Sequence, residues 1–192
     1  MNPANLIFWI FAHIIYDPEL MAAIREETAP AFKGDEIDTF YLINNCPWLE
    51  SVWHECLRLY TSVTSTRYIT QDTQLGSSWL QKGHPILFSA RQIAFHDERF
   101  GANPLQFDKM RFYRDPKLKH VESHRPFGGG VYACCGRHLT KHVHAAFVAI
   151  MLKNYDLSLA FPQAFPGVHE NEPSIGVLVS DDDFYINLKE RA

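Results

Sequence analysis

Residues 125–136 of this chain read Arg-Pro-Phe-Gly-Gly-Gly-Val-Tyr-Ala-Cys-Cys-Gly, with three successive glycines before two adjacent cysteines. Glycine allows positive φ and lets the backbone approach a flat ligand closely. A helical pattern starts near Gly136, so Cys134 precedes a helix N-terminus, where free N–H groups and the helix dipole stabilise a thiolate. Hydrogen bonds from such groups also tune the potential of a metal bound to the sulfur. The stretch therefore predicts a metal–thiolate site at Cys134.

Two other interpretations of this cysteine compete. Cysteine is often an inert buried residue. A zinc site is the other, because Cys134, Cys135, His138 and His142 could supply four ligands, with the two histidines at i and i+4 on the helix. Zinc leaves the three glycines unexplained.

The spacing of Phe127, Gly130, Cys134 and Gly136 resembles the haem-binding signature of the cytochrome P450 family, the haem-thiolate monooxygenases. The resemblance implies a haem b cofactor whose iron has Cys134 as its axial thiolate ligand. It also implies that Phe127, Gly128 and Gly130 belong to the cofactor-binding loop.

The loop departs from the usual signature at two positions. Tyr132 stands where the family usually has an arginine or histidine beside a haem propionate, and Cys135 stands where it usually has an apolar residue. Arg67, which opens the first strand after a long helix, falls where many members place a propionate partner. The resemblance therefore implies Arg67 and Tyr132 as further cofactor-binding residues, with weakened anchoring at Tyr132.

Two more motifs of the family occur in the same order. Glu55-Cys-Leu-Arg58 resembles its E-x-x-R helix, where i,i+3 spacing puts both side chains on one face. The segment from Pro104 to Phe112, which contains Arg111, resembles its P-x-x-F-x-P-x-R-F segment. The resemblance implies that Glu55, Arg58 and Arg111 form a buried structural ion network, so their loss should harm folding and haem loading.

The resemblance covers residues 1–192, as one truncated domain of the family. On this interpretation the chain begins inside the family's oxygen-activating helix, and Asn2 falls on the position of its catalytic threonine. Asn2, with Phe8-Trp9 following, resembles the branch with sterol 7α-hydroxylase and prostacyclin synthase, and fungal secondary-metabolism members. The membrane anchor and most substrate-contacting segments of the family would lie upstream of Met1.

The patterning predicts an α+β chain, mainly helical, with a small β-rich lobe. Four helices are predicted from apolar periodicity and from Pro or Asp at helix starts: Leu6–Ile15, Asp17–Glu27, Pro47–Tyr60 and Gly136–Lys153. Leu139, Val143, Phe147, Ile150 and Met151 share one face of the last helix. Short strands are predicted at Thr66–Thr70, Ser77–Leu80, Pro85–Phe88, Ile175–Ser180 and Phe184–Leu188. The segment Gly101–Gly130, rich in proline and glycine, is predicted as a functional loop.

Composition narrows the classes of partner and compartment. A net charge of −4 without a basic stripe argues against nucleic acid. Four cysteines, two of them adjacent, make a poor disulfide framework and indicate a reducing, intracellular compartment. The apolar stretch Leu6–Ile15 is too short for a membrane anchor.

By resemblance, the function is oxidation of a lipophilic small molecule, in secondary-metabolite or sterol and lipid metabolism, with electrons from a reductase. Three rivals stay open: a haem-thiolate isomerase or dehydratase that needs no reductase, an inactive remnant, and half of a split enzyme completed by a second chain. We expect no turnover by the chain alone. We also expect an exposed apolar helix face that includes Leu6, Phe8, Trp9 and Ile10.

Overall fold

Seven helices and eight short strands make up the fold of this computed structural model, which describes residues 3–169 and 176–191. The helices are α1 (Pro3–Ile15), α2 (Pro18–Thr28), α3 (Thr39–Asn44), α4 (Pro47–Tyr60), α5 (Ala90–Phe95), α6 (Arg111–Arg114) and α7 (Arg137–Asn154). The strands are β1 (Phe32–Lys33), β2 (Glu36–Ile37), β3 (Thr64–Tyr68), β4 (Thr73–Leu75), β5 (Ser78–Leu80), β6 (Pro85–Ser89), β7 (Tyr155–Leu159) and β8 (Ile186–Glu190). They pair antiparallel as β1–β2, β3–β6, β4–β5 and β7–β8. The predicted α+β, mainly helical class is confirmed.

Helix α1 lies in the main core and is not exposed, so our expectation for its apolar face was wrong. The indole of Trp9 stacks on Tyr60 of α4 with ring centroids 4.0 Å apart, and its Nε1 donates to the Leu178 carbonyl at 2.7 Å. Helix α4 and the segment around Leu178 thus cover the face that we expected to be bare. Three of the four residues are buried and Phe8 is half-buried: Leu6, Phe8, Trp9 and Ile10.

Helix α7 is present as predicted, but its apolar stripe does not supply the core face. The residues that it buries are His144, Ala145, Val148, Ala149 and Leu152. Leu139, Val143 and Ile150 are exposed instead. The small residues at 145 and 149 are both buried, so α7 packs on the core through a face that an apolarity pattern alone does not reveal.

The carboxylate of Glu27, at the end of α2, caps the start of α4. Cys46, the residue before α4, offers no side-chain cap. Glu27 accepts hydrogen bonds from the backbone N–H of Trp48 at 3.0 Å and of Leu49 at 2.7 Å. These are among the N–H groups that a helix cannot satisfy internally. The contact fixes the long helix that carries the ion network.

The β-rich part differs from the sequence prediction in its details. The predicted strand Ser77–Leu80 corresponds to β5, and its hairpin partner β4 was not predicted. Helix α3 and the two-residue strands β1 and β2 were not predicted either. In the predicted strand Ile175–Ser180, the described residues 176–180 form only isolated bridges, Thr61 with Val177 and Val168 with Ser180, while Ile175 lies outside the described residues.

Among the described residues, no single helix has both the length and the apolarity to cross a membrane. The pair α1 and Pro18–Ala31 meets such a test only when taken together, across a bend of 110°.

Candidate functional site

The loop before α7 is closed by backbone hydrogen bonds around Cys134. The Cys134 N–H donates to the Phe127 carbonyl at 2.9 Å, and the Ala133 N–H donates to the Gly130 carbonyl at 3.2 Å. Gly128 and Gly130 have φ of +72° and +61°, a region that side chains with a Cβ rarely adopt. Gly128 and Gly130 are therefore required by the backbone of the loop itself.

Cys134 lies at the entrance to α7. It is half-buried, whereas Cys135 is exposed. The helix N-cap is Gly136, which has no side chain to cap the first turn. A Cβ at Gly136 would lie 3.7 Å from the Cys134 sulfur, so the glycine leaves that side of the sulfur open. The arrangement suits a thiolate ligand near unsatisfied helix N–H groups.

Helix α4 packs against the loop through aromatic residues. The Phe127 ring stacks against Trp53 at 5.7 Å. Next along the helix, His54 Nδ1 and His124 Nε2 share a hydrogen bond of 2.9 Å. Burial lowers the pKa of both histidines, that of His124 to about 3, so the pair is neutral at physiological pH. We did not identify this pair from the sequence, because 70 residues separate its members.

The structure brings Glu55, Arg58 and Arg111 together. Arg58 donates from Nε and Nη2 to the two oxygens of Glu55, at 2.8 and 2.7 Å. Arg111 Nε lies 3.1 Å from both oxygens. The side chains of Glu55 and Arg58 are completely buried. Arg58 also binds the Pro104 carbonyl at 2.5 Å, and Arg111 binds the Phe100 carbonyl.

Arg67 and Tyr132 meet at the surface. The guanidinium carbon of Arg67, in β3, lies 4.9 Å from the centre of the Tyr132 ring. The structure thus joins two of the sequence-predicted cofactor-binding residues. Asn2, the predicted catalytic residue, lies outside the described residues.

The comparison with protein families agrees with this geometry, because the sequence pattern described as "Cytochrome P450" matches residues 3–187. The chain belongs to the cytochrome P450 family.

Relatives of known name align with most of this chain. "Sterol 26-hydroxylase, mitochondrial" of Homo sapiens is 26% identical over 82% of the chain and 30% of its own length. "Cytochrome P450 monooxygenase calL" of Penicillium decumbens is 29% identical over 82% of the chain and 32% of its own length. The chain therefore spans about a third of the length of these relatives.

A solved structure shows the same fold. "Retinoic acid bound cyanobacterial CYP120A1" superposes with a TM-score of 0.78 at 21% identity, covering 97% of this chain and 43% of the other.

The cofactor of the cytochrome P450 family is a thiolate-ligated haem, and the donor set of this chain fits that group. The four cysteines are free, so no disulfide competes for Cys134. The glycine backbone of the loop borders open space: a Cβ at Gly129 or Gly130 would meet no atom within 4 Å. A flat macrocycle can therefore approach the loop closely.

The zinc alternative finds no support in the geometry. Among the described residues, no group of three histidine, cysteine or acidic side chains is placed to hold a metal ion. The exposed Cys135, His138 and their neighbours therefore do not form the four-ligand cluster that the spacing allowed.

A cationic cavity of about 470 Å³ lies beside the loop. Its cationic lining residues are Lys119, Arg125, Arg137 and Lys141. Glu50 accepts from Lys119 at 3.1 Å and from Lys141 at 2.7 Å. Burial raises the pKa of Glu50, but the two lysines outweigh it and the net shift is downward. The sequence analysis missed this cluster because its cations come from three separate segments.

Proposed function

We propose that this chain supplies the haem-thiolate site of a monooxygenase that oxidises a lipophilic small molecule. The observation that carries the proposal is the half-buried Cys134, held at the end of a glycine-shaped loop where α7 begins. When bound there, a thiolate-ligated haem supplies dioxygen activation, which the electron-rich sulfur promotes.

Each predicted residue has a role in this proposal. Cys134 holds the iron, while Phe127, Gly128 and Gly130 shape the loop against the macrocycle. Arg67 and Tyr132 face a propionate. Asn2 takes the position at which the family moves a proton.

The buried ion network is proposed to act through structure alone. Glu55, Arg58 and Arg111 tie α4 to the segment 100–111, and α4 in turn carries Trp53 beneath the loop. None of the three faces the cofactor in this proposal.

The electron donor is proposed to be a reductase with an acidic surface. The cavity lined by Lys119, Arg125, Arg137 and Lys141 carries one neutralising carboxylate, Glu50, among its lining residues, so it keeps a net positive charge. Complementary charge steers association and orients the partner. We also propose an intracellular location, since all four cysteines are free.

The names of the relatives suggest the chemical class of the substrate. The human relative is named for a sterol, and the Penicillium relative is named as a monooxygenase. We propose a sterol-like or other lipophilic secondary metabolite as the substrate.

Two variants test the ligand assignment directly. Cys135 is exposed, whereas Cys134 is half-buried and its N–H is bound to the Phe127 carbonyl, so Cys135 should not replace Cys134 without rebuilding the loop. After haem loading, Cys134→Ser should lose the thiolate-type spectrum, and the matched Cys135→Ser should keep it. The reverse pattern would assign the iron to Cys135 and refute the proposal.

A second candidate function is a haem-thiolate isomerase or dehydratase. It is favoured by Asn2, which lacks the hydroxyl of the family's threonine. Rearrangement of an organic peroxide by the haem-loaded protein without reductant would support this candidate. Product formation that needs both a reductase and dioxygen would support the monooxygenase.

The two hypotheses in which this chain alone is inactive, a split enzyme and an inactive remnant, differ in the haem binding that they predict. A split enzyme would bind haem only after a second chain is added. An inactive remnant would give no thiolate-type spectrum under either condition.

A further inference from the structure

The phenol of Tyr60, at the end of α4, forms a hydrogen bond with the imidazole of His13 in α1. The Tyr60 hydroxyl lies 2.8 Å from His13 Nε2. Tyr60 is buried, and its hydroxyl has no other partner among the described residues. If Nε2 carried a proton, the phenolic proton would be left without an acceptor, which is costly in a buried site. The phenol is therefore the donor, and the unprotonated Nε2 is the acceptor.

Aromatic rings hold both members of this pair in place. The indole of Trp9 stacks on the Tyr60 ring, with centroids 4.0 Å apart and planes inclined by 5°. Phe107 stacks on the His13 imidazole with centroids 3.5 Å apart. Trp9 is completely buried, and its Nε1 donates to the Leu178 carbonyl. A backbone carbonyl cannot take up the indole proton, whereas His13 can take up the phenolic proton.

The imidazole of His13 is uncharged at rest. Burial lowers its pKa to about 3, and the charge of Asp17 opposes this shift only in part. An oxidised phenol is a far stronger acid than a phenol, so even this weak base can take its proton. Asp17, which also pairs with Lys109 at 2.5 Å, favours the imidazolium that results.

We propose that Trp9, Tyr60 and His13 form a one-electron redox site. A radical oxidant, of the class formed when dioxygen is only partly reduced, removes one electron from Trp9. Tyr60 passes an electron to the stacked indole, and its O–H bond breaks as the proton moves to His13 Nε2. The products are neutral Trp9, a Tyr60 phenoxyl radical and a His13 imidazolium. One electron from a thiol and the proton on His13 restore the phenol.

This site confines an oxidising equivalent to one buried side chain that can be repaired. It uses only side chains of the core between α1 and α4, so the inference does not depend on haem at Cys134.

Three variants separate the phenol, the base and a control tyrosine. Tyr60→Phe keeps the ring on Trp9 and removes the hydroxyl. His13→Gln keeps a hydrogen-bond acceptor for Tyr60, but an amide takes up no proton at neutral pH. Tyr16→Phe is the matched control, because the Tyr16 hydroxyl donates to the Ala164 carbonyl at 2.8 Å and has no base beside it. Circular dichroism checks that each variant keeps the fold.

The measurement is flash photoionisation of tryptophan in the full chain without haem, with hexaamminecobalt(III) to capture the ejected electron. The absorption of the tryptophanyl radical is followed as it is replaced by that of the tyrosyl radical. We expect a fast phase of this conversion in the unaltered chain and in Tyr16→Phe, because Trp9 and Tyr60 are in contact. Tyr60→Phe and His13→Gln should each lose the fast phase.

Three outcomes would overturn the inference: no fast phase in the unaltered chain, a fast phase that survives in Tyr60→Phe, or one that survives in His13→Gln. Each would leave the Cys134 proposal standing, because the sample contains no haem. Conversely, a chain that shows the Tyr60-dependent phase but binds no haem would refute the Cys134 proposal and support the redox site.

Discussion

At the residue scale, Glu55 is the point on which the buried ion network depends. It is completely buried and accepts from Arg58 and Arg111, and one of its oxygens also accepts from the Asp108 N–H at 3.1 Å. Removing this carboxylate leaves two guanidinium groups, one of them fully buried, without a counter-charge. Breaking such a pair from one side costs about 3–5 kcal/mol.

We therefore expect Glu55→Ala to lower the free energy of unfolding by about 3–5 kcal/mol in urea denaturation. Glu26→Ala, which removes an exposed glutamate from helix α2, is the control and should change it by less than about 0.5 kcal/mol. A Glu55→Ala chain that is as stable as the unaltered chain and fully loaded with haem would contradict the structural role proposed here.

The residue scale is also where the sequence was most informative. The motif spacings named Cys134, Glu55, Arg58 and Arg111 because each is a local pattern of fixed length. They could not reveal the His54–His124 pair or the contact of Arg67 with Tyr132, since no local pattern relates residues that meet only after the chain folds.

At the element scale, the start of α4 depends on the protonation of Glu27. Burial raises the pKa of Glu27 from its ordinary 4.5 to about 7, although the N–H groups of Trp48 and Leu49 lower it in part. Between these values the folded chain keeps a proton that the unfolded chain has released. The contribution of Glu27 to the free energy of unfolding therefore falls as the pH rises from about 4.5 to 7. Above that range Glu27 is ionised in both states, and the folded chain holds a buried charge that the unfolded chain exposes to water.

Glu27→Gln should reduce this pH dependence, because glutamine stays neutral and its oxygen can still accept from the helix start. Urea unfolding at pH 5 and pH 8 would measure it, with stability differing less between the two conditions in Glu27→Gln than in the unaltered chain. Glu26→Gln should keep the full dependence. A steeper dependence in Glu27→Gln would show that the capping charge outweighs its burial.

Helix boundaries were predicted within a few residues because Pro18, Pro47 and Gly136 mark starts that depend on backbone chemistry alone. The cap on α4 was not predicted, since Glu27 lies outside that helix and reaches it through tertiary packing. The same holds for α7, whose core face is chosen by the small residues at 145 and 149 and by neighbouring helices.

At the scale of the whole molecule, apolar side chains are exposed on α7 and on the adjoining loop. Leu139 is 68% exposed and Val131 is 93% exposed, with Val143 and Ile150 continuing the stripe along the helix. Contiguous exposed apolar surface promotes association. The sequence analysis predicted such a surface but placed it on α1, because it could not show that the segment around Leu178 returns to cover that helix.

We expect the chain to associate as its concentration rises, and the double variant Leu139→Glu with Val143→Glu to shift it towards the monomer in sedimentation velocity. Gln74→Glu, which adds a charge at an exposed position of β4, outside helix α7, should leave association unchanged. If the unaltered chain stays monomeric at all concentrations, this surface does not mediate self-association.

The central claim, that Cys134 holds a haem iron through its thiolate, is tested most directly by one spectrum. The haem-loaded chain is reduced, exposed to carbon monoxide and compared with the same sample without it. The account predicts the red-shifted Soret band of a thiolate-bound, carbon monoxide-bound haem. A band at the position given by imidazole ligation, or no bound haem at all, would contradict it.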